Sequence, residues 1–193
     1  MKVGIFGGTF DPPHVGHLIA AQDALEVLSL DSVLFIPARV PPHKQHVPVT
    51  DASVRLRMIR AATEGDTRFE VSDVELQRTG PSYTVETLRQ LREKRPGDEF
   101  FLMLGVDQVR EFRTWREPDE VLRLASLAML ARGGVEPADV SDIVHQTVPV
   151  TRVDVSSTLV RERVVAGRTI RYLVPDGVEK IIAAEGLYSR GSG

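Results

Sequence analysis

The sequence predicts an α/β fold, a doubly wound parallel sheet in three layers (α/β/α), and three observations carry that reading. Apolar runs of strand length alternate with stretches at helical spacing along the whole chain. Two of the runs, residues 100–104 (FFLML) and 127–130 (LAML), are apolar at every position, as strands buried on both faces require. A short strand bounded by glycines opens the chain and passes straight into a loop and then a helix.

Residues 2–6 form the first strand, ending in a loop over residues 7–13. Leu18, Ala21, Leu25 and Leu28 recur at steps of three and four, which predicts a helix over residues 15–28. Residues 32–37 (SVLFIP) are the second strand, and the proline-bearing residues 38–50 form a long loop of the kind that tends to carry function. Asp51 caps a helix through residue 63, residues 69–74 form a strand, and Val85, Leu88 and Leu91 mark a helix over residues 83–93. The strands at 100–104 and 127–130 are separated by helical pieces at 107–113 and 118–124. A polar connection over 133–147 leads to an extended segment at 148–155, a helix at 156–165 and a last helix at 178–184. Neither a repeat nor an interdomain linker interrupts the pattern. A single domain is therefore expected over residues 1–190, with 156–190 a C-terminal helical portion and 191–193 a tail without a role. Right-handed crossovers put helices on both faces of such a sheet. Its ligands bind beyond the carboxyl ends of the strands, which places residues 7–13 at the site.

Composition narrows the function. The chain has 193 residues, 42% hydrophobic and 26% charged, so it can bury a core of its own. It has no apolar run near the roughly 20 residues that span a bilayer, and no membrane partner is expected. A net charge of −3 argues against nucleic acid as the main partner. The absence of cysteine removes disulfides, thiolate catalysis and cysteine-ligated zinc. The start MKVGIFGG lacks the pattern of a signal peptide, so a cytoplasmic location is expected. A homo-oligomer is compatible with the sequence, which does not set the oligomeric state.

The chemistry concentrates in GGTFDPPHVGH. Gly7 and Gly8 let the backbone approach a phosphate, and the following helix aims its N–H groups and positive dipole end at the same place. His14 and His17 lie three residues apart, where both imidazoles reach an anion held at the loop. The bland alternative is a connector loop with surface histidines. A P-loop is excluded because no lysine follows a glycine in the GxxxxGK[ST] register, and Gly7-Gly8-Thr9 breaks the GxGxxG dinucleotide fingerprint. Near the other end, Ser156 or Ser157 can cap a helix whose free N–H groups form a second anion site, with Arg161 one turn in. Alone, that segment also reads as an ordinary capped helix.

Together, Gly8-Thr9-Phe10-Asp11-Pro12-Pro13-His14-Val15-Gly16-His17 and Val155-Ser156-Ser157-Thr158-Leu159-Val160-Arg161 resemble the GxFxPxHxGH and [IV]SSTxxR signatures of the nucleotidyltransferase superfamily, in the right order and about 140 residues apart. The resemblance implies its Rossmann-like fold. It narrows to bacterial-type nicotinate-nucleotide adenylyltransferases through Pro41-Pro42-His43-Lys44, the run GPSYTVETL from Gly80 to Leu88, Gly105-Val106-Asp107 and Trp115, with His14 where phosphopantetheine adenylyltransferases typically have threonine. It implies transfer of the adenylyl group of ATP to nicotinate mononucleotide, in NAD biosynthesis, with Mg2+ entering on ATP. The implied ATP site comprises Gly7, Gly8, Thr9, Phe10, His14, His17, Gly105, Asp107, Ser156, Ser157, Thr158 and Arg161. The implied acceptor site comprises Lys44, Thr84, Asp107, Trp115, Arg116 and Arg132, and the catalytic set His14, His17, Lys44 and Arg161. In this scheme Trp115 stacks on the pyridine ring and Thr84 holds the ring carboxylate; the plainer readings are a core tryptophan, Lys44 as a loop charge and Asp107 as a helix cap. Arg116 stands where the family commonly has an aromatic residue, a change that a backbone donor survives. Nicotinamide mononucleotide or phosphopantetheine as acceptor, and a nucleotide-binding module without catalysis, are the alternatives.

Overall fold

A parallel strand cannot be followed directly by its neighbour, because the chain must first return along the sheet, and helices make that return here. The computed structural model describes residues 1–39, 49–132 and 142–189. Lys44, residues 191–193, most of the 38–50 loop and most of the 133–147 connection lie outside the described residues, as does the side chain of Arg132. The elements are β1 (Lys2–Gly8), α1 (Val15–Val27), β2 (Ser32–Pro37), α2 (Ala52–Thr63), β3 (Phe69–Val71), α3 (Thr84–Lys94), β4 (Glu99–Gly105), α4 (Val106–Glu111), a 3₁₀ turn (Phe112–Thr114), α5 (Pro118–Leu124), β5 (Ser126–Arg132), β6 (Gln146–Val150), α6 (Ser157–Val165) and α7 (Asp176–Ala184).

The six strands pair in the order β3-β2-β1-β4-β5-β6, all parallel, as the doubly wound reading requires. The chain winds outward from β1 to β3, crosses back through α3 to set β4 beside β1, and winds outward again. The carboxyl ends of β1 and β4 therefore flank the crevice in which such sheets bind ligands.

Successive side chains of each central strand enter opposite layers. Val3, Ile5, Leu34, Ile36, Phe100, Leu102, Leu127 and Met129 pack with Leu88, Leu91, Val109 and Val121 of α3, α4 and α5. Val33, Phe35, Phe101, Met103, Ala128 and Leu130 pack with Ala21, Ala24 and Leu25 of α1 and Ile59 of α2. On that second face Gly4 has no room for a side chain, since a Cβ would lie 2.8 Å from both Leu30 and Met103. A third cluster, built on Met58, Val160, Val178 and Ile182, seats α6 and α7 against α2.

Three boundaries differ from the sequence expectation. The first strand runs on through Gly7 and Gly8, which pair with Ile36 and Pro37, because a ladder needs the backbone and not side chains. The third strand stops at Val71 rather than at residue 74: it is an edge strand matched only by Val33–Phe35. The last strand begins at Gln146 and ends at Val150, earlier than the 148–155 segment, because the Thr151 N–H turns away to the Asp23 carboxylate at 2.7 Å. No described helix is long and apolar enough to cross a membrane.

Candidate active site

The carboxyl end of β1 delivers the first motif. Gly8 is required by its own neighbour, for the ring of Phe10 folds back to within 3.0 Å of where a Cβ would stand. Gly7 is different. Nothing lies within 4 Å of its missing Cβ, so packing does not demand glycine there, and the space belongs to the pocket that Gly7 lines. Phe10 has a positive φ and buries its ring against Phe6, Phe35 and His17, which leaves only its backbone for a ligand.

His14 caps α1 and is 3% exposed. Its backbone N–H donates to Nδ1 of His17 at 3.1 Å, and the two imidazoles stand face to face with ring centroids 3.7 Å apart. A nitrogen that accepts carries no proton, so the neutral His17 ring holds its proton on Nε2. Gly16 makes this stacking possible: a Cβ there would press to 3.1 Å on the His14 ring.

The second motif is tied to the first. Ser156 caps α6 by accepting from the Leu159 N–H at 3.1 Å. The Ser157 hydroxyl donates to the Pro12 carbonyl at 2.9 Å, and Nη1 of Arg161 donates to the Asp11 carbonyl at 2.7 Å while Nη2 reaches Thr158 Oγ1 at 3.3 Å. Two helix N-termini, those of α1 and α6, are thereby joined around one loop. Asp11 is itself buried; its carboxylate accepts from the Tyr188 hydroxyl and from the Thr50 N–H at 3.2 Å. Burial and that bond to Asp11 push the Tyr188 phenol above its ordinary range.

On the other side of Gly7-Gly8-Thr9 a pocket of about 360 Å3 opens between the ends of β1 and β4, the start of α3 and the Thr114–Arg116 segment. Thr84, Trp115 and Arg116 line it, as expected of an acceptor site, together with Glu75, Ser82, Tyr83 and Gln108. No side chain caps α3, so its first N–H groups are presented beside Ser82 and Thr84. Trp115 packs on Phe112 and also lines the pocket, and its indole N–H has no hydrogen-bond partner among the described residues. Arg116 lies over the Tyr83 ring at 4.7 Å and pairs with Glu86 at 3.2 Å. Gly105 ends β4 and gives its N–H to Gln108 at 3.2 Å. Asp107 stands apart from the pocket lining: its side chain is 96% exposed and reaches only Arg110, at 3.9 Å. The backbone of Arg132 ends β5. Among the described residues no group of acidic, histidine or cysteine side chains is placed to hold a metal.

Residues that sequence reasoning missed complete the site. Glu75 is 8% exposed, accepts from the Thr87 hydroxyl at 2.7 Å and lies 4.0 Å from Arg78; burial raises its carboxyl above the usual range. A carboxyl whose folded-state pKa exceeds its unfolded value supports the fold fully below the unfolded pKa and loses that support as pH rises through the folded one. Glu75→Gln is therefore expected to gain stability relative to the wild type between pH 4.5 and pH 7, measured as the difference between their urea midpoints at each pH. An equal difference at both pH values would show that Glu75 carries no such linkage.

The chain matches the Cytidylyltransferase-like family over residues 5–163. It is 46% identical over 187 residues to a probable nicotinate-nucleotide adenylyltransferase of Geobacillus thermodenitrificans, covering 97% of this chain and 86% of that one. It is 47% identical over 188 residues to a probable nicotinate-nucleotide adenylyltransferase of Thermus thermophilus, covering 97% of this chain and all of that one. The fold is shared with the nicotinic acid mononucleotide adenylyltransferase of Plasmodium falciparum in complex with NaAD, at a TM-score of 0.80 and 17% identity over 97% of each chain. With both signature motifs joined at one crevice and relatives alike over nearly the whole length, the chain belongs to the Cytidylyltransferase-like family and, within it, to the nicotinate-nucleotide adenylyltransferases.

Proposed function

We propose that this protein transfers the adenylyl group of MgATP to nicotinate mononucleotide, forming nicotinate adenine dinucleotide and pyrophosphate in NAD biosynthesis. The observation that carries the reading is the division of the crevice by Gly7-Gly8-Thr9. On one side stand two bonded helix N-termini with His14, His17 and Arg161; on the other is the pocket of Trp115, Thr84 and the uncapped α3. Names of relatives at 46% and 47% identity point to the same acceptor.

An oxygen of the acceptor phosphate attacks the α-phosphorus of ATP as the bond to the β-phosphate oxygen breaks, and pyrophosphate leaves. That oxygen is already anionic near neutral pH, so the protein positions and stabilises rather than removes a proton. The His17 Nε2–H and the His14 ring meet the charge that develops at the α-phosphate, and Arg161 with the Ser157-Thr158 start of α6 holds the β and γ phosphates. Mg2+ arrives on the phosphates as part of the substrate. Lys44, outside the described residues, is assigned to the phosphates of both reactants, Gly105 and Asp107 to ATP, and Arg132 and Asp107 to the acceptor. In the acceptor pocket Trp115 stacks on the pyridine ring while Thr84 and the first N–H groups of α3 receive its carboxylate. Burial holds Glu75 toward its neutral form, which spares an anionic ring the repulsion of a second carboxylate.

The test is pyrophosphate release from ATP with nicotinate mononucleotide, nicotinamide mononucleotide and phosphopantetheine in parallel. The first is expected to give the highest kcat/KM; a higher value with either of the others, or no release with any, refutes the reading. Trp115→Ala is expected to raise the KM for nicotinate mononucleotide by about tenfold or more, since stacking contributes about 1–3 kcal/mol, with the KM for ATP little changed. An unchanged acceptor KM rejects the stacking role.

A further inference from the structure

The guanidinium of Arg55 is the largest fully buried side chain of the protein among the described residues, 1% exposed, and the proposed chemistry makes no use of it. It bonds no carboxylate directly. Its Nη1 donates to the carbonyl of Thr9 and its Nε to that of Thr50, both at 2.8 Å, and its Nη2 to that of Arg39 at 3.3 Å, with Asp11 and Asp51 countering the charge at longer range. Burying a guanidinium costs free energy that an apolar side chain of similar size would not, so packing alone does not account for it. What the fork provides is a fixed geometry between three main-chain segments.

Arg39 extends the connection. Its own N–H donates to Ser82 Oγ at 3.0 Å, and its Nη1 donates to the carbonyls of Leu76 and Arg78, each at 2.9 Å. An unbroken series of hydrogen bonds thus runs from Thr9 through Arg55 and Arg39 to Ser82. Thr9 and Ser82 are walls of the same pocket, the first on the loop assigned to ATP and the second beside the assigned acceptor residue Thr84.

We propose that Arg55 and Arg39 are positioning residues that set the spacing between the phosphate loop and the acceptor pocket. The inference rests on the adenylyl-transfer reading above. Each substrate binds on one side of the brace, so its affinity depends on that side alone. In-line attack depends on the distance between the two, and a displacement of about 1 Å is enough to cost about 100-fold in rate. Loosening the brace therefore lowers kcat and leaves both KM values nearly as they were.

Arg55→Met, Arg55→Lys and Arg39→Met test this by steady-state pyrophosphate release with thermal melts of each variant. Arg55→Met is expected to lose about 100-fold in kcat and Arg39→Met about tenfold, with both KM values within about threefold of wild type. Arg55→Lys, which keeps the charge without the fork, is expected to recover melting temperature but not kcat. The double variant is expected to lose no more than Arg55→Met alone, since both act through one series of bonds. Arg39 is exposed, so Arg39→Met decides the matter if Arg55→Met does not fold. Wild-type kcat in folded Arg39→Met, or a KM rise in place of a kcat loss, overturns the proposal. If the wild type itself releases no pyrophosphate with nicotinate mononucleotide, it is the functional reading that has failed.

Discussion

His17→Ala is expected to lower kcat/KM for adenylyl transfer by about 100- to 1,000-fold, the consequence of removing one donor worth about 2.7–4 kcal/mol in the transition state. The His17 ring is held before any substrate arrives: its Nδ1 accepts the His14 N–H at 3.1 Å, and its faces meet His14 and Phe10. The Nε2–H is then aimed without reorganisation at the moment of reaction. Alanine removes the donor and also the bond that completes the α1 cap. Loss of a cap costs about 0.5–2 kcal/mol, small beside the roughly 5–15 kcal/mol of a domain, so the variant folds. His17→Asn separates the two effects, because its amide oxygen can accept the His14 N–H while its nitrogen cannot reach as far as Nε2. The melting temperature is expected to recover in His17→Asn and kcat/KM to stay low. A folded His17→Ala enzyme with near wild-type turnover removes His17 from the mechanism.

The fold was legible because its determinants are periodic and local. Leu18, Ala21, Leu25 and Leu28 announced α1, and uninterrupted apolar runs announced β4 and β5. Boundaries slipped where a remote partner decided them, as Asp23 does in ending β6. Both anion-binding motifs were visible as letters, yet the bonds that make them one site were not. Arg161 and Asp11 are 150 residues apart in sequence, Tyr188 and Asp11 177. No spacing rule connects such pairs, for their meeting is set by the sheet order and by how α7 packs on α2. Arg55 did leave a trace. It falls in the stripe of Met58, Ile59 and Ala62 that α2 buries, and a charge in register with a buried stripe signals a bonded, placed group. Glu75 left none, since it lies between β3 and α3 in a stretch without periodicity.

Arg161→Met is expected to have an effect of the same order as His17→Ala, through ATP rather than the acceptor. In the structure Nη1 of Arg161 is committed to the Asp11 carbonyl and Nη2 reaches Thr158, so the residue first closes the crevice and then offers its remaining N–H groups and its charge to phosphate oxygens. Methionine keeps much of the side-chain volume and loses both functions. The kcat/KM for ATP is expected to fall by about 100-fold or more, with a rise in the KM for ATP and a lower melting temperature, since a hydrogen bond from a charged group contributes about 1.5–3 kcal/mol. Arg161→Lys restores the charge but a single ammonium cannot hold the Asp11 carbonyl and present a planar fork together, so most of the loss is expected to remain. His17 and Arg161 act on one phosphate chain through one loop. The double variant is therefore expected to lose less than the product of the single losses, because once the loop is unfastened a correctly aimed His17 has nothing fixed to act on. Full multiplicativity would instead mean that the two residues work independently and that the bond from Arg161 to Asp11 serves the fold alone.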